Sequence, residues 1–153
     1  MTAMKPTTLI FAAVLAAAAV AWSAASAHMT PEGMRRMKQY MTTGVPKPYG
    51  GQKNPLAQSA ETVARGRALY DDNCARCHGA RGLGDGPDLK ELKLAPVDVV
   101  HMLDMLPMND DYFLWTASDG GVPFGSQMPA FKDVLAPDDI WRVIAFMRAG
   151  FPR

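Results

Sequence analysis

The apolar and polar positions divide the chain into segments with different periods. Leu9 to Trp22 is an unbroken apolar run with Lys5 ahead of it and Ala25-Ser26-Ala27 behind it, the pattern of an export signal. The run is shorter than the ~20 residues that cross hydrocarbon comfortably as a helix. Residues 1–27 therefore read as a signal peptide, with an uncleaved anchor extended through Ser23 to Ala27 as the alternative. Thr30-Pro31-Glu32 then predicts a helix start, and Met34, Met37 and Met41 recur at i, i+3 and i+7 among Arg35, Arg36 and Lys38. Such a stripe either packs on the chain's own domain or docks on a partner or membrane surface. Thr43 to Pro55 carries Gly44, Pro46, Pro48, Gly50 and Gly51, too much proline and glycine for a helix, and is expected to run as a linker over the surface.

From residue 58 the period is helical. Ser59 is placed to cap a helix reaching about Asn73, and Gly66 inside it costs about 1 kcal/mol against alanine. Close approach of another helix would explain that glycine. Asn109-Asp110-Asp111 opens a helix through Ser118 that stops at Gly120-Gly121, with acids in its first turn. Pro137-Asp138-Asp139 opens the last, in which Ile140, Val143, Ile144 and Met147 form an apolar stripe that ends before Gly150. The expected class is all-α, with residues 28–57 an extension and 58–153 one domain.

Charge narrows the function. The 16 basic residues less Lys5 equal the 15 acidic ones, so the exported chain is neutral and carries no basic footprint for nucleic acid. The 48% hydrophobic content is inflated by the alanines of the leader.

The chemistry is concentrated at Cys74-Ala75-Arg76-Cys77-His78. Two thiols two residues apart, followed directly by histidine, is the spacing of c-type haem attachment. Both thiols add across porphyrin vinyl groups, and the adjacent imidazole is carried beneath the macrocycle to ligate iron. Three other uses of these residues are weighed against this one. A zinc site wants four Cys or His ligands, and the remaining candidates are His28 and His101. A thioredoxin-like pair belongs in a βαβ pattern, which is not found here. A disulfide across two residues leaves His78 unexplained. His101, Met102, Met105 and Met108 raise the question of rival iron ligands, but their apolar flanks suit core or pocket lining.

Gly66-x-x-Leu69-Tyr70, three residues, and then Cys-x-x-Cys-His-Gly resembles the class I, mitochondrial-type cytochrome c family. The resemblance covers roughly Ala57 to Gly150 and leaves the methionine helix and linker outside. It implies the cytochrome c fold, roughly three to five helices around one covalent haem c, with the helix of Gly66 crossing the last helix near Phe146. Cys74 and Cys77 would hold the haem, and His78 would ligate its iron. In the Gly79–Pro87 loop, Pro87 is the candidate carbonyl for the His78 Nδ1 proton, with Pro96 in reserve. The Gly121–Phe131 stretch resembles the family's distal loop, making Met128 the sixth ligand with Pro129 stiffening the backbone behind it. His/Met ligation raises the reduction potential.

The resemblance implies a one-electron carrier in the periplasm. Its partners would be redox proteins such as a dehydrogenase, a quinol-oxidising complex or a terminal oxidase, with membrane association through the N-terminal segment as a further option. No general base, nucleophile or substrate pocket is readable, so the chain is not expected to be an enzyme. Two other readings stand beside this one: a tightly bound electron-transfer subunit of an oxidoreductase complex, and a haem sensor or peroxidase with an open sixth site.

Overall fold

The structure, a computed structural model, describes residues 31–105 and 108–152, with side chains from Met34 onward; the leader and the Thr30 cap lie outside the described residues. Within them the chain forms six α-helices: α1 (Pro31–Thr43), α2 (Ala60–Asn73), the single turn α3 (Ala75–His78), α4 (Val99–Asp104), α5 (Asp110–Asp119) and α6 (Pro137–Arg148). Two 3-10 turns, Pro87–Glu91 and Val122–Phe124, punctuate the loops. No strand occurs among the described residues, so the architecture is all-α, as expected.

The central packing is α2 against α6. A Cβ at Gly66 would lie 2.0 Å from the Arg142 carbonyl oxygen and 3.1 Å from Phe146 Cβ. The backbones can therefore approach this closely only without a side chain at position 66. One turn later the fully buried Tyr70 packs against Phe146 and Phe151, with ring centroids 5.4 and 5.3 Å apart, and its hydroxyl donates to Gly79 O at 2.9 Å. Ser59 caps α2, its Oγ accepting from Thr62 N at 3.1 Å. The α6 stripe of Ile140, Val143, Ile144 and Met147 is buried. At the α6 C-terminus, Arg148 donates to Asp110 at 2.9 Å and to Met108 O at 2.7 Å, fastening α6 to the start of α5.

Residues 34–57 are packed onto this core. The expected methionine stripe is not the buried face of α1: Met34 and Met41 are 46% and 65% exposed, whereas Arg36 is 4% exposed. Met37 and Tyr40 join Arg36 on the inner side, and Tyr40 meets Tyr112 edge-on at 5.1 Å. The Pro/Gly-rich stretch is a strap over the surface. Tyr49 donates to Asp119 at 2.7 Å, Gly51 N to Asp111 at 2.8 Å, and Asn54 and Gln58 to the Trp141 and Ala145 carbonyls.

Asp119 is the polar anchor of the strap. Burial alone would raise its carboxyl pKa, but hydrogen bonds from Tyr49 and Lys132 and the charges of Lys132 and Arg36 more than offset that and hold it below the usual value. A depressed folded pKa adds stability that is present above the unfolded value, near 3.8, and is lost as pH falls through the folded one. Amide exchange of residues 49–52 should accordingly quicken in wild type only under acid. Asp119→Asn should quicken it at neutral pH by the loss of about 1 kcal/mol. Equal exchange in both proteins at neutral pH would remove Asp119 as the anchor.

Candidate functional site

The site begins where α2 ends. Cys74 is the C-cap of that helix, its N–H bonded to Tyr70 O. The chain turns at once into α3, where Cys77 N and His78 N both donate to Cys74 O, at 3.2 and 2.9 Å. This one turn sets Cys74, Cys77 and His78 on the wall of a single cavity. Gly86 packs behind it, where a Cβ would fall 2.3 Å from Arg76 O and 2.6 Å from the Cys77 carbonyl carbon. The loop after the motif can close on α3 only with glycine there.

The cavity has about 1480 Å³ of empty space, counting its open mouth. Phe113 and Tyr112 of α5, Val143 and Met147 of α6 and Leu92, Leu94 and Val99 line it with apolar surface. Met128 lines the same cavity from the loop after α5. That loop is held by Gly121 N donating to Met128 O at 2.9 Å and by Phe131 N donating to Ala117 O at 3.1 Å. A second thioether, Met37 of α1, also lines the cavity, as does Met102 of α4. At the start of the same helix Val99 N donates to Gly82 O, just beyond the motif. His101 is exposed and is not part of the lining.

One sequence expectation changes here. The carbonyl facing the His78 ring is Val97 O, 3.4 Å from Nδ1, and not that of Pro87 or Pro96. Pro87 instead starts a 3-10 turn, which commits its backbone to that turn, while residues 96–98 run past the imidazole on their way into α4. Trp115 of α5 does not line the cavity. It faces α1, stacking under the Arg36 guanidinium at 4.4 Å, while Tyr112, Phe113, Thr116 and Ala117 supply the α5 wall.

The electrostatics favour neutral donors. Burial pushes the Cys74 thiol up to about 12, with Cys77 adding to the effect, and burial beside Asp88 also raises Cys77. A redox-active CxxC pair of the thioredoxin type needs a lowered thiol pKa, and these shifts run the other way. Burial lowers the His78 pKa, partly opposed by the bond to Val97. The imidazole is then neutral, with Nδ1–H directed at the backbone and the Nε2 lone pair available for a metal. Among the described residues no group of three or more His, Cys, Asp or Glu side chains converges as a metal cage requires. Two thiols, a neutral imidazole, thioethers and apolar walls in one cavity fit a covalently attached porphyrin.

Sequence reasoning missed Arg36 and Val97. Arg36 sits among Arg35, Lys38 and three methionines, where a basic residue reads as solvent-facing. A carbonyl acceptor leaves no trace in residue identity.

The family model for "Cytochrome C oxidase, cbb3-type, subunit III" matches residues 61–147. Among curated proteins, cytochrome c550 of Pseudomonas aeruginosa is 27% identical over 100 residues, covering 63% of this chain and 61% of that protein. The chain thus spans about three-fifths of the length of this relative. A chain of the reducing HAO-like protein complex of Kuenenia stuttgartiensis superposes with a TM-score of 0.54 at 23% identity, over 72% of this chain and 53% of that one. This last likeness is one of fold.

Proposed function

This chain belongs to the family of the cbb3-type cytochrome c oxidase subunit III domain and is a class I c-type electron-transfer cytochrome with one covalent haem c; we propose that it is a periplasmic carrier with His78 and Met128 as axial ligands. The convergence of Cys74, Cys77, His78 and Met128 on one cavity carries the reading. Cys74 and Cys77 would hold the porphyrin as thioethers. His78, oriented through Val97, would present Nε2 to one face of the metal, and Met128 its sulfur to the other. The bound haem supplies an iron centre that gains and loses one electron, ferric to ferrous and back.

The chain's own contribution is to hold both donors in place in either oxidation state. The α2–α6 crossing fixes the end of α2 from which the motif issues, and the hydrogen bonds of the Gly121–Phe131 loop fix Met128. With both axial positions filled by side chains no substrate site is left, so we propose that the chain transfers electrons and catalyses no reaction of its own. The leader at residues 1–27 supports export to the periplasm, and no helix among the described residues is long and apolar enough to cross a membrane. We further propose residues 58–153 as the haem domain and 28–57 as an extension strapped to it.

The partners would be redox proteins, and the family description favours a second arrangement. A domain like that of an oxidase subunit suits a chain that remains bound to an oxidoreductase complex. Gel filtration of the native periplasmic or membrane extract separates the two, since a free carrier elutes as a monomer. Carbon monoxide tests the ligation itself: the reduced protein should not bind it promptly. Prompt binding would replace the carrier reading with a sensor or peroxidase having an open sixth position.

A further inference from the structure

Arg36 is the most deeply buried charged side chain among the described residues, at 4% exposure. Its guanidinium is sandwiched between Trp115 and Phe124, 4.4 and 4.3 Å from the ring centroids. Nη2 donates to Gly120 O. Nη1 is buried without a partner, and Thr116 Oγ1, one turn before Gly120, is buried with the Tyr112 hydroxyl beside it but makes no well-formed hydrogen bond. Both residues line the cofactor cavity. Burial lowers the Arg36 pKa, opposed by the Tyr112 phenol and Asp119, but Asp119 is already engaged by Tyr49 and Lys132. No protein carboxylate among the described residues lies within ion-pair distance of Arg36.

A buried guanidinium with a free donor calls for an acceptor, and an anion offsets its charge best. Burial without one is costly, and planar guanidinium donors match a carboxylate best. The occupant of this cavity is a haem, whose only anionic groups are its two propionates. We propose that Arg36 Nη1 and Thr116 Oγ1 receive a haem propionate carboxylate, so that α1, which lies outside the family-matched residues 61–147, is a structural part of the haem site. The aromatic sandwich fixes the plane of the guanidinium, and the Gly120 carbonyl occupies its other edge, leaving Nη1 directed to the cofactor. The methionines of α1 are then incidental to its main task, which is to deliver a cation to the pocket.

The proposal rests on the haem reading, and the test keeps the two apart. Full-length protein, wild type, Arg36→Gln, Arg36→Lys and Thr116→Val, is matured with haem. Covalent attachment is scored by the pyridine haemochrome spectrum, the midpoint potential by redox titration, and the propionate by its resonance Raman bending mode. Loss of the cation should favour the ferric state about tenfold in Arg36→Gln, which for one electron is a fall of about 59 mV, with a shifted propionate mode. Arg36→Lys should recover most of the potential but not the mode, because a point charge replaces the fork. Thr116→Val should move both in the same direction by less, and it reads the same carboxylate should Arg36→Gln fail to mature. Fully loaded variants with unmoved potential and unmoved propionate mode would overturn the assignment of Arg36. Wild-type protein with no covalent haem would overturn the haem reading itself, and this assignment with it.

Discussion

Gly66→Ala is expected to destabilise the folded protein by about 3 kcal/mol. Two effects compete at this position, and their magnitudes decide the sign. Inside a helix, alanine is favoured over glycine by about 1 kcal/mol, so propensity alone would make the variant more stable. The added Cβ, however, would sit 2.0 Å from the Arg142 carbonyl oxygen and 2.6 Å from its carbon. Those are backbone atoms of α6 and have no rotamer in which to retreat. The helices must separate, loosening Tyr70 from Phe146 and the end of α2 from which Cys74 and Cys77 issue. Denaturant unfolding of the haem-loaded protein should show a lower midpoint with a similar slope. A midpoint equal to or above wild type would mean that the crossing is not the closest contact of the fold.

The second large effect is expected from Met128→Ala. A thioether is a soft, neutral donor that favours the ferrous state, so its removal should lower the reduction potential. The fall should be on the order of 0.1–0.3 V, within the ~0.8 V range that axial ligands command. The reduced variant should also bind carbon monoxide promptly, since one position beside the iron is vacated. Met37→Ala should do neither, although Met37 lines the same cavity. An unchanged potential in Met128→Ala would move the sixth ligand elsewhere, and Met37 is the first place to look.

Much of the helical framework was legible because it is punctuated. Ser59 before α2, the acids Asp110 and Asp111 in the first turn of α5, and Pro137 with two acids at the start of α6 mark termini through local chemistry, although Asn109 makes no capping hydrogen bond of its own. Gly66 was legible as an anomaly: a costly residue inside a helix asks for a close neighbour, and α6 is that neighbour. The short α4 was read only as an apolar stretch, since one and a half turns give too little period to distinguish a helix.

The parts that were illegible depend on burial. The spacing of Met34, Met37 and Met41 pointed to an apolar face, yet the inward side of α1 is Arg36, Met37 and Tyr40. An arginine turns inward only when something in the interior stacks on it. Trp115 and Phe124 do so from positions far away in the sequence. The histidine acceptor was sought among prolines and proved to be Val97, because backbone carbonyls are chosen by the path of the chain and not by side-chain type.

The central claim is that one cavity holds a covalent haem between His78 and Met128. The most direct measurement is the methionine-to-iron charge-transfer band in the ferric absorption spectrum of wild type, Met37→Ala and Met128→Ala. The band should be present in the first two and absent from the third, with covalent haem retained in all three. Its survival in Met128→Ala would contradict the account.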